Sequence, residues 1–226
     1  MMMPKSTILQ RGAFILLEGC DRTGKSTQAE KLVAALNQRG HQARLWKFPD
    51  RTTGIGQMIH GYLAQGKDLN DQTVHLLFSA NRWEAMDTLK THLLQGTTLV
   101  VDRYAYSGVA FSAAKGLDLH WCKQPDVGLL APDVTFFLDM PIEESMKRGG
   151  FGDERYEKVA LQTKVREIFH ALQEPNWQLI DATQAIAAIH DSLVHSSLQV
   201  IAAAKDAPLQ CNLWAMPSKP KSGGTH

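Results

Sequence analysis

Short apolar runs alternate along this chain with longer segments in which apolar positions recur every three or four residues. The short runs have the length and composition of β-strands. They cover residues 14–17, 44–48, 98–102, 134–138 and 177–181. The longer segments have helical spacing, as at Leu32, Val33 and Leu36. Because strands that alternate with helices are typical of βαβ units, the pattern predicts an α/β fold with a parallel sheet.

Glycine and proline mark where several of these elements end. Gly40 is expected to end the first helix, and Pro49 interrupts the second strand. We expect each of the five strands to lie centrally enough in the sheet to be apolar. The remaining predicted helices cover about residues 54–65, 72–94, 142–148, 156–173 and 184–204.

Composition and charge narrow the class of protein. The 226 residues are 44% hydrophobic with a net charge of +1, which suits one globular domain, expected over residues 1–214. The balanced charge gives no sign of a large basic face, so we expect no nucleic-acid partner and favour small phosphate ligands. Residues 215–226 are rich in proline, glycine and lysine, which predicts a disordered tail or, alternatively, a short basic interaction tail.

Cysteine usage and hydropathy bear on the cellular compartment. The three cysteines are widely spaced and odd in number, which indicates reduced thiols in an intracellular compartment rather than a disulfide framework. No apolar stretch approaches membrane-spanning length, so we expect a soluble protein with no membrane partner. The cytoplasm is the expected location, with the nucleus and the mitochondrion as alternatives.

Residues 19–26 form a complete G-x-x-x-x-G-K-S phosphate loop between an apolar strand and a helical segment. In that context the glycines let backbone N–H groups point inward, and the N-terminus of the helix faces the phosphates. Lys25 is expected to bridge the β- and γ-phosphates of a nucleotide, and the Ser26 hydroxyl to coordinate Mg2+. A chance glycine-rich turn is the alternative, but strand, loop and helix stand in the required order.

Charged residues lie near the ends of three predicted strands. An aspartate is followed by an arginine in each case, and the pairs are Asp21-Arg22, Asp50-Arg51 and Asp102-Arg103. In an open parallel sheet, ligands bind outside the carboxyl ends of the strands. A single such pair is more often a surface ion pair, whereas three pairs beside a phosphate loop predict a phosphate-binding site.

Two of these pairs predict distinct roles. Asp102 closes an apolar strand, from which a carboxylate in phosphate-loop enzymes reaches Mg2+ directly or through water. The alternative is that Asp102 caps the next segment. Arg103 would face a phosphate, and Arg51 is suited to hold a second phosphate bidentately. A second phosphate requires two phosphorylated ligands.

Phe78 and Arg82 lie four residues apart in a predicted helix, so one helix face can present a ring and a guanidinium together. A base stacked on Phe78 could be read at a carbonyl by Arg82. From the spacing alone, a core phenylalanine and a surface arginine are the preferred interpretation.

Four segments together resemble the thymidylate kinase family, and the eukaryotic enzymes in particular. They are residues 14–28, 48–51, 78–82 and 102–104. The similarity continues through residues 106–111, 121–126 and 155–157, so that it spans roughly residues 12–214 in the same order. The Asp-Arg within the phosphate loop and the later Asp102-Arg103-Tyr104 are specific to this family, whereas the phosphate loop by itself is not.

The resemblance implies a nucleoside-monophosphate-kinase-like P-loop fold with a five-stranded parallel sheet, in a homodimer. It implies transfer of the γ-phosphate of ATP to dTMP, giving ADP and the dTDP needed for dTTP synthesis, with Mg2+ as cofactor. The implied catalytic residues are Arg22, Lys25, Asp102 and Arg103, and the implied metal ligands are Ser26 and Asp102. The implied ATP site comprises Gly19, Arg22, Thr23, Gly24, Lys25, Ser26, Thr27, Arg148, Thr183 and Gln184.

The implied dTMP site has three parts. Phe78 stacks on thymine and Arg82 donates to a thymine carbonyl. Gln162 contacts the base directly or through water. Asp21 accepts the sugar 3′-hydroxyl, Tyr104 and Tyr156 lie against the sugar, and Arg51 and Arg103 hold the phosphate. The remaining implied members are Phe48, Ser107, Gly108 and Phe111.

Three further features of the sequence concern the predicted site. Residues 148–157 contain three glycines and two arginines, which predicts a lid, the alternative being a flexible surface loop. Gln184 stands where a lysine is expected, so the adenine contacts are less specific. Cys20 is expected to be a small packed residue. The alternative is a reactive, oxidisable thiol whose pKa is lowered by the loop N–H groups and Lys25.

Two alternatives remain from sequence. A kinase that accepts dUMP or purine monophosphates, or that phosphorylates a nucleoside, would share the fold and most of the phosphate contacts. A phosphate-loop GTP switch or an inactive nucleotide-binding module would leave the second set of arginines unexplained, and the chain has no Asn-Lys-x-Asp guanine motif.

Overall fold

The computed structural model describes residues 10–64, 66, 68–148 and 155–215. Its centre is a parallel sheet of five strands in the order β2-β3-β1-β4-β5. The strands are β1 (Phe14–Glu18), β2 (Ala43–Lys47), β3 (Thr98–Asp102), β4 (Val134–Asp139) and β5 (Trp177–Asp181). The predicted α/β fold with five parallel strands is confirmed.

The sheet has three buried strands and two edge strands. Side chains of β1 alternate between the two faces, with Phe14 and Leu16 in one core cluster and Ile15 and Leu17 in the other. The expectation that all five strands are central was wrong, because β2 and β5 are at the edges and most of their residues are only partly buried. An edge strand needs fewer apolar side chains, since one side of it has no neighbouring strand.

Helices cover both faces of the sheet. They are α1 (Lys25–Gln38), α2 (Gly54–Leu63), α3 (Asp71–Leu94), α4 (Ala105–Ala114), α5 (Leu119–Lys123), α6 (Ile142–Met146), α7 (Val159–Ala171) and α8 (Ile186–Ala204), with a 3-10 turn at Gln124–Asp126. Helices α1 and α8 pack on one face, and α3, α4 and α7 pack on the other. Helix α7 begins three residues later than the sequence pattern indicates.

Two helices were not predicted from sequence. Eight of the ten residues of α4 are buried, so this helix has no polar face that could reveal its period. Helix α5 has only five residues, too few for a periodic signal. Both follow β3 and lie between it and β4 in the chain.

The sheet brings the chemically interesting segments to one edge. In the register of the sheet, Asp102 pairs with Leu17 on one side and with Lys47 on the other. The phosphate loop after β1 and the segments after β2 and β3 therefore leave the sheet side by side. Most of the predicted lid, residues 149–154, and most of the predicted tail, residues 216–226, lie outside the described residues. In the described part of the chain, each helix is too short or too polar to cross a membrane.

Candidate active site

A cavity of about 680 Å³ opens at the carboxyl edge of the sheet. Most of the residues predicted for the ATP and dTMP sites line it. They are Asp21, Arg22, Thr23, Gly24, Lys25, Ser26, Thr27, Phe48, Arg51, Phe78, Arg82, Asp102, Arg103, Tyr104, Ser107, Gly108, Phe111, Arg148, Tyr156 and Gln184. The structure thus brings together, in one cavity, residues that are spread over most of the chain.

The phosphate loop has the backbone geometry that its sequence predicts. Gly19 and Gly24 have φ angles of 148° and 95°, which side chains other than glycine rarely adopt. A Cβ atom at Gly19 would lie 2.5 Å from Leu138 O, so the loop also needs glycine there to pass β4. Gly24 is the N-cap of α1, so the helix begins at Lys25 and points its N-terminus into the cavity.

Lys25 is held inside the loop. Its Nζ donates to Cys20 O at 2.5 Å and to Thr23 Oγ1 at 3.3 Å. Burial lowers the pKa of this ammonium group to about 8, with the nearby positive charge of Arg103 acting in the same direction. Bound phosphate would favour the charged form, so ligand binding and protonation of Lys25 are coupled.

Cys20 is a packed residue, which agrees with the interpretation preferred from the sequence. The side chain is 2% exposed in the core beneath the loop. Burial raises the pKa of the Cys20 thiol to about 12, although Lys25 acts against this shift. The alternative of a reactive thiol was wrong, because loss of solvation outweighs the attraction of the neighbouring cation.

Ser26 and Asp102 form a pair suited to a divalent cation. Ser26 Oγ donates to Asp102 Oδ2 at 2.5 Å, and the buried Asp102 Oδ1 accepts no hydrogen bond from the described residues. A hydroxyl beside a carboxylate with an uncommitted oxygen is an oxygen donor set of the kind that Mg2+ prefers. Among the described residues, no group of three or more His, Cys, Asp or Glu side chains could hold a metal. Two oxygen ligands from the protein fit a metal whose other ligands are water and substrate phosphates.

Arg103 occupies the centre of a polar network. Its φ angle is 68°, in the left-handed region that costs most side chains energy. The guanidinium forms an ion pair with Asp21 and donates to Gly19 O and Ser107 Oγ at 3.2 Å each. Tyr104 N and Ser107 N, which follow Arg103, both donate to the buried Glu18 carboxylate. Sequence reasoning assigned no role to Glu18, because nothing in the motif indicates that it contacts a segment 86 residues away.

Arg22 is the second residue of the site with a left-handed backbone, at φ 63°. Its Nε lies 2.7 Å from Glu157 Oε1 and its Nη2 lies 3.2 Å from Glu157 Oε2. Glu157 was also missed from sequence as a functional candidate. Glu157 is the last residue of the segment predicted as a lid, so this contact joins the phosphate loop to the end of that segment.

Another part of the cavity is aromatic and contains buried charge. The rings of Phe111 and Tyr156 are tilted by 31° with centroids 5.4 Å apart, and the Arg103 guanidinium lies 5.5 Å from the centroid of the Phe111 ring. Arg82 is only 2% exposed and forms a salt bridge with Asp126. The spacing-based interpretation of Arg82 as a surface residue was therefore wrong, because a buried carboxylate from a distant segment compensates its charge.

Three predicted site residues do not line the cavity. Gln162 is fully buried, and its amide contacts Asp21 N, Asp21 Oδ2 and Tyr156 O. It supports the phosphate loop from behind instead of facing a base. Gly19 lies at the entry of the loop, and its carbonyl accepts from Arg103. Thr183 is exposed and contacts the Asp181 carboxylate.

The loop after β5 meets the phosphate loop through Arg148. Its Nη1 donates to Arg22 O and its Nη2 to Ala182 O, each at 2.9 Å. Gln184 and the apolar side chains of Ile186 and Ile189 line the cavity beside these contacts. The combination of a cation and apolar side chains is suited to the flat face of a purine.

A phosphate loop and a second set of arginines, facing one cavity on this five-stranded sheet, define a P-loop nucleoside monophosphate kinase. The family model for thymidylate kinase matches residues 17–193, so the chain belongs to the thymidylate kinase family. It is a kinase that phosphorylates dTMP with ATP, giving dTDP and ADP. The resemblance found in the sequence is thereby confirmed.

Thymidylate kinases from other organisms are similar to this chain over nearly its whole length. The thymidylate kinase of Arabidopsis thaliana is 50% identical over 212 residues, which are 93% of this chain and 80% of that protein. The thymidylate kinase of Homo sapiens is 50% identical over 209 residues, covering 91% and 98%. A solved thymidylate kinase from Candida albicans, described as having broad substrate specificity, has a TM-score of 0.77 at 37% identity, covering 88% of this chain and 97% of that one.

Proposed function

We propose that this chain brings ATP and dTMP together in the single cavity at the carboxyl edge of the sheet and uses the residues lining it to transfer phosphate in line. The observation that carries the proposal is that two sets of cationic side chains, from different segments of the chain, line one cavity. Lys25 and Arg22 lie on the phosphate loop, and Arg51 and Arg103 follow β2 and β3. One set of cations is suited to the phosphates of ATP and the other to the phosphate of dTMP.

On the donor side, the phosphate loop holds the ATP phosphates. Backbone N–H groups of residues 22–27 and the N-terminus of α1 supply hydrogen bonds and a favourable dipole. Lys25 binds the β- and γ-phosphates, and Arg22 leaves Glu157 to follow charge on the transferring group. Arg148 lies against adenine, and Gln184, which also lines the cavity, borders the base through backbone contacts.

Mg2+ fits the Ser26 and Asp102 pair. Ser26 Oγ and Asp102 Oδ1 would hold it, the carboxylate directly or through water. When bound, the cation offsets charge on the β- and γ-phosphate oxygens. Asp102 holds the Ser26 hydroxyl in place through its other oxygen.

On the acceptor side, the arginines and rings position dTMP. Arg51 and Arg103 hold its phosphate, and Asp21 accepts the sugar 3′-hydroxyl. Phe78 stacks on thymine and Arg82 donates to its 4-carbonyl, a selective contact because a donor at that edge rejects an amino group. The other contacts come from Phe48, Tyr104, Ser107, Gly108, Phe111 and Tyr156. We assign Gln162 the task of holding Asp21.

The chemistry requires no covalent enzyme intermediate, because the dTMP phosphate is itself the nucleophile. Repulsion between two anionic groups is the main obstacle. The cationic side chains offset this repulsion and align the reacting oxygens. Arg103 is already held by hydrogen bonds, so it needs little reorganisation, whereas Arg22 must exchange Glu157 for the transferring group.

We further propose that residues 1–214 act as one domain with a lid near residues 148–157, and that the enzyme is a cytoplasmic homodimer. The balanced net charge of +1 agrees with small nucleotides as its ligands. Exposed apolar residues on α3, among them Leu76 and Trp83, offer a surface for a second copy.

The first test is ADP production with Mg2+-ATP and a panel of dTMP, dUMP, dCMP, dGMP, thymidine or no acceptor. We expect dTMP to give the highest kcat/KM. Comparable rates with purine monophosphates would contradict the roles of Phe78 and Arg82. Arg103→Ala should abolish turnover while ATP binding is kept, and Arg44→Ala, an exposed arginine of β2, is the matched control. Unchanged turnover in Arg103→Ala would contradict its role.

A further inference from the structure

Arg82 is held by a carboxylate from outside the cavity. Its Nε donates to Asp126 Oδ1 at 3.1 Å and its Nη2 donates to Asp126 Oδ2 at 2.6 Å. Asp126 ends the 3-10 turn, is fully buried and is not among the residues that line the cavity. A bidentate pair of this kind fixes both the position and the plane of the guanidinium.

The 3-10 turn is itself fastened to the helix that carries Arg82. Ser79 Oγ donates to Asp126 Oδ1 at 2.7 Å, and Trp83 Nε1 donates to Pro125 O at 2.7 Å. Ser79, Arg82 and Trp83 are three and four residues apart in α3, so they lie on one face of the helix. Asp126 therefore cannot move without α3, and its carboxylate has hydrogen-bond donors at both oxygens.

A glycine on α4 faces the guanidinium from another side. A Cβ atom built on Gly108 would lie 2.8 Å from Arg82 Nη2 and 3.1 Å from Arg82 Nη1. Any side chain there would displace the guanidinium, whose other edge is already bound to Asp126. The Nη1 group is the part that Asp126 does not engage, and Arg82 lines the cavity.

We propose that Asp126 is a positioning residue for base selection: with Gly108, it fixes Arg82 so that only N–H donors face position 4 of a pyrimidine. A guanidinium has no acceptor, so it favours a 4-oxo base and opposes a 4-amino base. The inference rests on the proposed contact between Arg82 and the base. It adds that selectivity depends on two residues that supply no hydrogen bond to the base.

The test compares three acceptors: dUMP differs from dTMP only at position 5, whereas dCMP differs from it at positions 4 and 5. In Asp126→Asn, the ratio of kcat/KM for dTMP to kcat/KM for dCMP should fall at least tenfold, because the guanidinium loses its charged anchor and can turn away. The ratio for dTMP to dUMP should change less than twofold, since both bases are 4-oxo and differ only at the 5-methyl group. A loss of folded protein would lower all three values together, so these ratios separate positioning from stability.

A second variant keeps the proposal falsifiable if Asp126→Asn does not fold, and a third serves as the control. Gly108→Ala favours the helix, so α4 should be kept, and the same fall in the dTMP to dCMP ratio is expected. Asp133→Asn is the matched control, because Asp133 forms a bidentate pair with Arg11 and neither residue lines the cavity. Its ratios should equal those of the parent enzyme.

A double variant separates this inference from the proposed role of Arg82. Arg82→Met with Asp126→Leu removes both buried charges and leaves neither unpaired. If the double variant keeps the dTMP to dCMP ratio, Arg82 does not read the base. If the double variant loses it while Asp126→Asn and Gly108→Ala keep it, Arg82 reads the base and positioning by Asp126 and Gly108 is overturned.

Discussion

The Ser107 hydroxyl donates a 2.5 Å hydrogen bond to Glu18 Oε2 and accepts one from Arg103 Nη1. Glu18 ends β1 and Ser107 lies in the first turn of α4, so the bond joins the strand that carries the phosphate loop to the segment that carries Arg103. Burial raises the pKa of the Glu18 carboxyl, and the N–H and O–H groups of Ser107 offset part of that effect. The arrangement holds Arg103 in its left-handed conformation.

Replacing Ser107 should therefore impair dTMP use more than ATP binding. Ser107→Ala removes a donor from a buried carboxylate and an acceptor from Arg103, which costs about 1–3 kcal/mol. We expect kcat/KM for dTMP to fall roughly tenfold, corresponding to about 1.4 kcal/mol, with the Kd for ATP within twofold. Steady-state kinetics and calorimetry measure the two quantities.

The control for this prediction is Ser197→Ala in α8. Ser197 is also buried, and its hydroxyl has no hydrogen-bond partner among the described residues. Its replacement should leave both constants unchanged. A Ser107→Ala enzyme with parental kcat/KM would show that Arg103 keeps its position without this bond.

ATP affinity should fall as pH rises above about 8. The free enzyme holds Lys25 with a pKa of about 8, so its ammonium loses its proton above that pH, and phosphate binding must restore it. The affinity should drop by up to about tenfold per pH unit there and show no contribution from Lys25 at pH 6. Calorimetry at pH 8.5 in two buffers of different ionisation enthalpy should reveal proton uptake.

The dTMP site provides the comparison for this pH dependence. Its phosphate is assigned to arginines, which stay charged throughout this range. Binding of dTMP should therefore vary little between pH 8 and 9.5. A flat ATP affinity over the same range, with no proton uptake, would contradict a titrating Lys25.

Asp102→Asn should affect the metal requirement. The amide keeps the shape of the side chain but loses the charge beside Ser26 Oγ, so we expect kcat to fall by about 10²–10³. The Mg2+ concentration for half-maximal activity should also rise. Asp191→Asn, an exposed carboxylate in α8, is the control. An unchanged Mg2+ dependence in the Asp102 variant would refute metal binding there.

The three cysteines should react with thiol reagents at very different rates. Burial raises the pKa of Cys20 to about 12 and that of Cys122 to about 11, whereas Cys211 is exposed. Only the thiolate reacts, so at pH 8 Cys20 should react at least about 10³ times more slowly than Cys211. Titration of native enzyme should yield one fast thiol, and Cys211→Ser should remove it. A fast thiol remaining in that variant would identify an opening of the phosphate loop or of the region around Cys122.

The proposed dimer surface can be tested at Leu76. This side chain is 47% exposed on α3, and a charge there would be buried in an interface formed by that face. We expect Leu76→Glu to sediment as a monomer and the parent enzyme as a dimer. Leu179→Glu, on the edge strand β5, changes a side chain that is 58% exposed and should remain a dimer. A parent enzyme that sediments as a monomer would refute the homodimer itself.

The sequence alone determined the features that depend on neighbouring residues. The phosphate loop requires glycines at positions with positive φ and a helix that begins at Lys25, and these requirements are local. The alternation of strands and helices likewise predicted the fold class. The central apolar strand Thr98–Asp102 also placed Asp102 at the correct edge, because its apolar run ends there.

The tertiary structure alone decided which charges meet. Arg82 and Asp126 are 44 residues apart, and Arg22 and Glu157 are 135 apart, so no local pattern connects them. Whether an arginine lies on the surface or in the core depends on whether a carboxylate from another segment compensates its charge. The same holds for Cys20, whose thiol pKa depends on burial by residues elsewhere in the chain, and for β2 and β5, whose edge positions follow from strand order. Desolvation and charge pairing act through space, so they emerge only when the whole chain is packed.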